Sequence, residues 1–162
     1  MELGKEIGRG QRSVVYAHPT NPNLVIKKTS SKNEIEVLEA FQEDPEDYFV
    51  TVHQIERVGN TVYAVLDRVE NPDFRFKTKS GENFFESKFN RDNYFEAVLR
   101  FGFKSHEQYI SEVKNKVTQP ELVEDYYRLI RKAVAQGCDF SDTAWNLGFK
   151  NGKFLCFDTS LC

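Results

Sequence analysis

The chain has 162 residues, 40% hydrophobic and 29% charged, with a formal net charge of −3 at pH 7. This length and composition are typical of one globular domain, and the acidic balance without a block of basic residues argues against nucleic acid as a partner. No run of residues is apolar enough to span a membrane and the N-terminus lacks a signal-peptide pattern, so we expect an unprocessed protein with no membrane contact.

The first half of the chain predicts two β-hairpins. The four β-rich runs that form them are 13–17, 24–28, 49–58 and 61–69. AHPTNPN separates the first two runs, and its prolines and asparagines impose a loop. Gly59-Asn60 separates the other two and tolerates the positive φ of a two-residue turn.

A helix is expected between the hairpins. In SSKNEIEVLEAFQ, Ile35, Leu38 and Phe41 recur at helical spacing after a serine cap. Glu34 stands three residues after Ser31, which is also the spacing of a capping box.

The second half reads mainly as helix, with strands returning at the end. Two pairs match capping-box spacing: Ser105 with Gln108, and Thr118 with Glu121. After the second pair, an apolar face is expected from Leu122, Tyr126, Leu129, Ile130, Ala133 and Val134. Strands at 146–149 and 154–157 flank a turn at Asn151-Gly152.

The predicted organisation is one compact unit with two lobes. Residues 1–69 form a β-rich lobe, residues 70–83 a linker that mixes Pro, Gly, Ser and charges, and residues 84–162 a reduced helical lobe. The Phe-rich stretch FFESKFNRDNYFEAVLRFGF is interpreted as helix-packing core, with a partner-binding surface as the alternative.

In this order, the segments resemble those of the protein-kinase-like fold. EIGRGQRSVVY resembles the glycine-rich loop, LVIK the strand that carries the phosphate-binding lysine, and EIEVL the helix whose glutamate pairs with that lysine. VLDRVE resembles the hinge segment, and NLGFKNGKFLCFD resembles the metal-binding Asn followed by a hairpin that ends at the metal-binding Asp. The expected fold is therefore α+β, with an N-terminal antiparallel β lobe that holds one helix and a reduced helical C-terminal lobe.

The resemblance implies ATP and Mg²⁺ as cofactors. Glycines allow the close backbone approach that a triphosphate requires, a lysine neutralises phosphate charge, and oxygen ligands hold Mg²⁺. The residues implied at the nucleotide are Gly8, Gly10, Ser13, Val15, Lys27, Glu34, Asp67 and Val69. The implied metal ligands are Asn146 and Asp158.

Three of these assignments have alternatives. Gly8 and Gly10 also suit a simple turn, and Glu34 also suits the capping box. Lys28 competes with Lys27 for the same role, and strand alternation puts the two lysines on opposite faces of the sheet. We prefer Lys27 because it directly follows the apolar run and shares its face with Val25.

The catalytic base departs from the family pattern, which places an Asp five residues before the metal-binding Asn. Ser141 occupies that position here, and the neighbouring candidates are Asp142 and Asp139. Asp142 needs the smaller change in loop length, whereas Asp139 is followed by an apolar residue, as in the family. The His-Arg pair before the base is absent, and Thr159-Ser160 replaces Phe-Gly after Asp158.

Two functions are consistent with this sequence: a minimal ATP- and Mg²⁺-dependent phosphotransferase, and a pseudokinase-type module that regulates a partner protein without transfer. Only four residues follow Asp158, so we expect no activation segment or lower helical lobe. In its small size, the chain resembles compact kinase-like proteins that some phage genomes encode. Both functions imply a nucleotide and a protein substrate or partner.

The odd set of Cys138, Cys156 and Cys162 predicts no disulfide framework or zinc site and fits the cytoplasm, or the host cytoplasm for a viral protein.

Overall fold

A computed structural model describes residues 1–70, 76–84, 103–135 and 147–157. These residues form an α+β structure with a mostly antiparallel sheet. They divide into two compact units, of which the first contains residues 1–70 and 155–157 and the second contains residues 76–84, 103–135 and 147–154.

The first unit is built on a five-stranded antiparallel sheet. Its strands are β1 (Glu6–Arg9), β2 (Ser13–Ala17), β3 (Leu24–Thr29), β4 (Val52–Val58) and β5 (Thr61–Asp67). Their order across the sheet is β1-β2-β3-β5-β4. The two predicted hairpins correspond to β2–β3 and β4–β5, whereas β1 is an additional edge strand.

Strand β4 begins three residues later than the pattern 49–58 predicts. The residues before it pair with the C-terminal segment instead, because the Val50 N–H donates to the Cys156 carbonyl at 2.9 Å and the Cys156 N–H donates to the Tyr48 carbonyl at 2.7 Å. The β-rich run therefore pairs with two different partners, the C-terminal segment and β5. Its composition alone does not show where one pairing ends and the other begins.

Helix α1 (Lys32–Glu43) packs an apolar stripe into the first unit. Ile35, Leu38 and Phe41 are buried, as their helical spacing predicts. The Phe41 ring stacks on Phe49 with a centroid distance of 4.2 Å and meets Tyr48 edge-on at 5.9 Å. This contact fixes α1 against the segment that precedes β4.

The second unit contains α2 (Phe103–Lys116), α3 (Glu121–Ala135), β6 (Leu147–Lys150) and the start of β7 (Lys153–Cys156), which ends in the first unit. The β6–β7 turn places Asn151 and Gly152 at φ 52° and 79°, the positive values that the Asn-Gly pair predicts. An aromatic core is formed by Phe76, Phe84, Tyr126 and Phe154. The ring centroids of Phe76 and Phe84 are 4.0 Å apart.

Residues 76–83 of the predicted linker pack into this second unit. Phe76 is fully buried, and Lys77 pairs with Asn83 across a short turn. α3 begins at Glu121, three residues after Thr118, so Thr118 does not directly precede the helix that it was expected to cap. Its hydroxyl donates to the Lys77 carbonyl at 3.2 Å. Ser105 lies inside α2 rather than at its start. Within the described ranges, no helix combines the length and apolarity needed to cross a membrane.

Candidate functional site

A buried ion pair joins the third strand to the first helix. Lys27 Nζ lies 3.5 Å from Glu34 Oε1, and each residue is only 4% exposed. The local sequence explains the contact, because α1 begins soon after β3 and Glu34 lies in the first helical turn. The predicted lysine and the predicted glutamate are thus brought together.

Lys28 lies on the opposite face of the sheet from Lys27. Its Nζ is 5.8 Å from the centre of the Tyr63 ring, and its side chain is half-buried. Successive residues of a strand point to opposite faces, so only one of the two lysines can meet α1. Of the two candidates, Lys27 is the one that contacts Glu34.

The hydroxyl of Thr29 contacts the glutamate of this ion pair. Its Oγ1 donates to Glu34 Oε2, lies 3.1 Å from the Arg12 carbonyl oxygen, and accepts the Ser31 N–H at 3.1 Å. The Thr29 residue is 2% exposed. Sequence reasoning missed Thr29, although its position two residues after Lys27 puts it on the same strand face.

The capping-box alternative for Glu34 does not describe the geometry. In such a box the carboxylate would accept the Ser31 N–H, but that N–H is bonded to Thr29. Ser31 stands at the N-cap position of α1 and makes no side-chain cap hydrogen bond. Glu34 serves the ion pair instead of the helix terminus.

The strand register aligns several of the predicted residues in one row. Gly8 is opposite Val15, Val15 is opposite Lys27, and Lys27 is opposite Ala64. Directly opposed residues in an antiparallel sheet share a face. The glycine of β1, the valine of β2 and the lysine of β3 therefore lie on one sheet face, and Ser13 joins that face opposite Thr29.

The glycines near the β1–β2 turn are not required by the described structure. The Gly10 N–H donates to the Ser13 carbonyl at 2.9 Å, and neither Gly8 nor Gly10 has a positive φ. Among the described atoms, an added Cβ would approach no closer than 3.9 Å at either position, whereas at Gly4 it would lie 2.4 Å from the Ala17 carbonyl oxygen. Packing explains Gly4 but leaves Gly8 and Gly10 open to another cause.

The two predicted hinge residues lie at and after the end of β5. Asp67 Oδ1 accepts a hydrogen bond from His53 Nε2 at 2.7 Å, and the Asp67 N–H donates to the Thr51 carbonyl at 3.2 Å. Val69 is half-buried. A contact between Asp67 and His53 is not evident from the sequence, where the three histidines are scattered.

The remaining candidates, Asp139, Asp142, Asn146 and Asp158, lie outside the described residues. The described site provides a buried cation, Lys27, and its carboxylate partner, Glu34. On the same sheet face lies the accessible segment from Gly8 to Ser13, which we call the glycine turn. Such an arrangement can hold a phosphate group by charge and by backbone approach.

No protein-family model matches the chain, and no curated protein sequence matches it.

Proposed function

We propose that this chain is a minimal protein-kinase-like phosphotransferase that uses ATP and Mg²⁺. The observation that carries the proposal is the buried Lys27–Glu34 ion pair, which joins a lysine on the third strand to a glutamate on the next helix. Protein kinases use a lysine and a glutamate on the same two elements to orient ATP phosphates.

The energetics of this pair also favour a functional role. Two charges lose much of their hydration when they are buried, and a well-packed apolar pair of similar volume is often as stable or more stable. Lys27 and Glu34 are both 4% exposed, so stability alone gives weak reason for charged residues there. A lysine that binds phosphate has to be held in position, and the contact with Glu34 supplies that restraint.

The glycine turn supports the same proposal from independent geometry. Neither φ nor contact with the described atoms calls for glycine at positions 8 and 10. A triphosphate lying against the backbone would account for both glycines, because a side chain would occupy its place. Lys27 would hold phosphate oxygens, while Val15 and Val25 would present apolar surface on the same face.

Asn146 and Asp158 are the proposed ligands of Mg²⁺, which neutralises phosphate charge when it is bound. Asp142 is the proposed catalytic base, with Asp139 as its alternative. Asp67 and Val69 are proposed to contact the nucleotide from the hinge. The phosphate acceptor is proposed to be a protein.

ATP binding is tested first with a matched pair of lysine variants. Saturating ATP at about 100 times its Kd should stabilise the wild type by about 2.7 kcal/mol and raise its Tm by about 8 °C. Lys28→Met should keep this shift, because Lys28 lies on the other face. Lys27→Met should lose it, and Lys27→Met/Glu34→Met should lose it without leaving a buried carboxylate unpaired.

Two results would contradict ATP binding at this site: no shift in the wild type with or without Mg²⁺, or an equal shift in Lys27→Met and Lys28→Met.

The alternative function is a pseudokinase-type module that binds ATP and regulates a partner without transfer. The observation that favours it is the irregular spacing of Asp139 and Asp142 before Asn146, together with Thr159-Ser160 after Asp158. An ATP-dependent Tm shift without detectable hydrolysis or autophosphorylation would select this alternative over the enzyme.

A further inference from the structure

We infer that Thr29 is a positioning residue that couples the β1–β2 glycine turn to the Lys27–Glu34 ion pair; the inference rests on the proposed function. The Thr29 hydroxyl is the common partner of the two features. It contacts Glu34 Oε2 on one side and the Arg12 carbonyl, in the turn between Gly10 and Ser13, on the other.

A single hydroxyl proton serves these two acceptors. A threonine hydroxyl donates one hydrogen and accepts through its lone pairs. Here the Ser31 N–H occupies an accepting site, so the two remaining contacts compete for the one proton. A change in the position of Glu34 therefore changes how strongly the Arg12 carbonyl is held.

Burial raises the free-energy cost of losing the hydrogen bond between Thr29 and Glu34. Thr29 and Glu34 are 2% and 4% exposed, so water does not readily replace a lost hydrogen bond at either group. Ser13 lies opposite Thr29 in the β2–β3 register, which keeps the turn close to the hydroxyl. The hydroxyl thus fixes the height of the turn above the lysine before a nucleotide arrives.

The test compares Thr29→Val, which removes the hydroxyl at constant shape, with Thr29→Ser, which retains it. The first readout needs no nucleotide: hydrogen exchange of the Gly10 amide, which donates to Ser13 within the turn. Thr29→Val should speed this exchange about fivefold, the factor that corresponds to one ordinary hydrogen bond, and Thr29→Ser should stay within about twofold of wild type.

The second readout is the Kd for ATP, which Thr29→Val should raise about fivefold while Thr29→Ser restores it. Thr78→Val is the matched control, because Thr78 is 3% exposed and its hydroxyl bonds the Glu82 backbone in the second unit. This control removes a buried hydroxyl and should leave both the Gly10 amide and ATP binding unchanged.

An unchanged Gly10 exchange rate in Thr29→Val would overturn the inference, as would an equal change in Thr78→Val. Faster Gly10 exchange in Thr29→Val, in a protein whose wild type does not bind ATP, would support the coupling and refute the proposed function. If Thr29→Val does not fold, Thr29→Cys against Thr29→Ser makes the same comparison, since a thiol is a weak donor of similar size.

Discussion

Gly10 is a position where stability and ligand binding should respond differently to the same substitution. A Cβ at Gly10 meets the described atoms at 3.9 Å, so Gly10→Val should change the unfolding free energy by less than about 1 kcal/mol. If ATP lies against this turn, the valine side chain should abolish ATP binding. Urea unfolding and an ATP titration of the same preparation measure the two effects.

Gly4→Ala is the control with the opposite expectation. The added Cβ would lie 2.4 Å from a backbone oxygen of Ala17, so the chain has to shift, at a cost of about 1–3 kcal/mol. ATP affinity per folded molecule should be retained. Equal destabilisation by Gly10→Val and Gly4→Ala, with ATP binding intact in both, would mean that Gly10 only shapes the turn.

Tyr48 gives a residue-level prediction about pH. Burial, aided by the nearby Glu46 carboxylate, raises the pKa of Tyr48 to about 12. An unfolded tyrosine ionises near pH 10. Between these two values the unfolded chain loses its proton before the folded chain does, so stability should fall as pH rises from about 10 to about 12.

Tyr48→Phe removes this titration and keeps the ring that meets Phe41. Its unfolding free energy, measured in urea across the same pH range, should fall less steeply than that of the wild type. Identical slopes would assign the alkaline loss of stability to other groups.

At the scale of elements, the start of α1 should tolerate loss of its serine. Ser31 occupies the N-cap position without a side-chain cap hydrogen bond. Ser31→Ala should therefore cost less than about 0.5 kcal/mol, against about 1 kcal/mol for a working cap. Urea unfolding measures this difference, and a loss near 1 kcal/mol or more would show that the hydroxyl caps α1 in solution.

Asp125 joins α3 to the β6–β7 hairpin and should be sensitive to truncation. Its Oδ2 accepts the Phe154 N–H at 2.6 Å, and its Oδ1 accepts Arg128 Nε at 2.9 Å. Asp125→Ala removes an acceptor from a partly buried backbone donor and from a charged group, which should cost about 2 kcal/mol. Unfolding in urea, followed by tyrosine fluorescence, measures the loss.

The adjacent Glu124 is the control for Asp125. Its carboxylate pairs with Lys114 on the exposed surface, where such pairs contribute about 0–1 kcal/mol. Glu124→Ala should therefore have little effect. A similar loss in both variants would show that helix propensity or surface charge, rather than the bond to the hairpin, sets the cost.

The elements with strong local signals could be predicted from the sequence. Alternation and turn residues identify both hairpins of the sheet, and the spacing of Ile35, Leu38 and Phe41 identifies α1. The face that Lys27 shares with Val15 follows from strand alternation once the register is known. These features depend on residues close together in the chain.

The features that could not be predicted depend on distant partners. The pairing of residues 48–50 with Cys156 shortens β4, and the hydroxyl of Thr118, the expected cap of α3, donates to the carbonyl of the distant Lys77. The contact between Thr29 and Arg12 joins residues 17 positions apart. Periodicity and capping patterns report local preference, so tertiary hydrogen bonds of this kind leave no separate signal in one sequence.

At the scale of the whole molecule, the proposed activity has two parts that can be separated by mutation. The proposed phosphate-binding groups, Lys27 and the glycine turn, belong to the first unit. The candidate base and metal ligands lie in other stretches, at 139–146 and at Asp158, outside the described residues. Binding and transfer should therefore fail independently.

Asp158→Asn tests the transfer half of this division. If Asp158 holds Mg²⁺, the substitution removes its strongest ligand, and transfer should fall by orders of magnitude even where ATP still binds. Asp142→Ala should behave similarly if Asp142 is the base, whereas Asp139→Ala should retain activity. Autophosphorylation and ATP hydrolysis of the four proteins, alongside their ATP-dependent Tm shifts, measure transfer and binding separately. Equal, barely detectable turnover in all four, with the Tm shifts preserved, would replace the enzyme by the pseudokinase-type module, because a working metal site would distinguish Asp158→Asn from wild type.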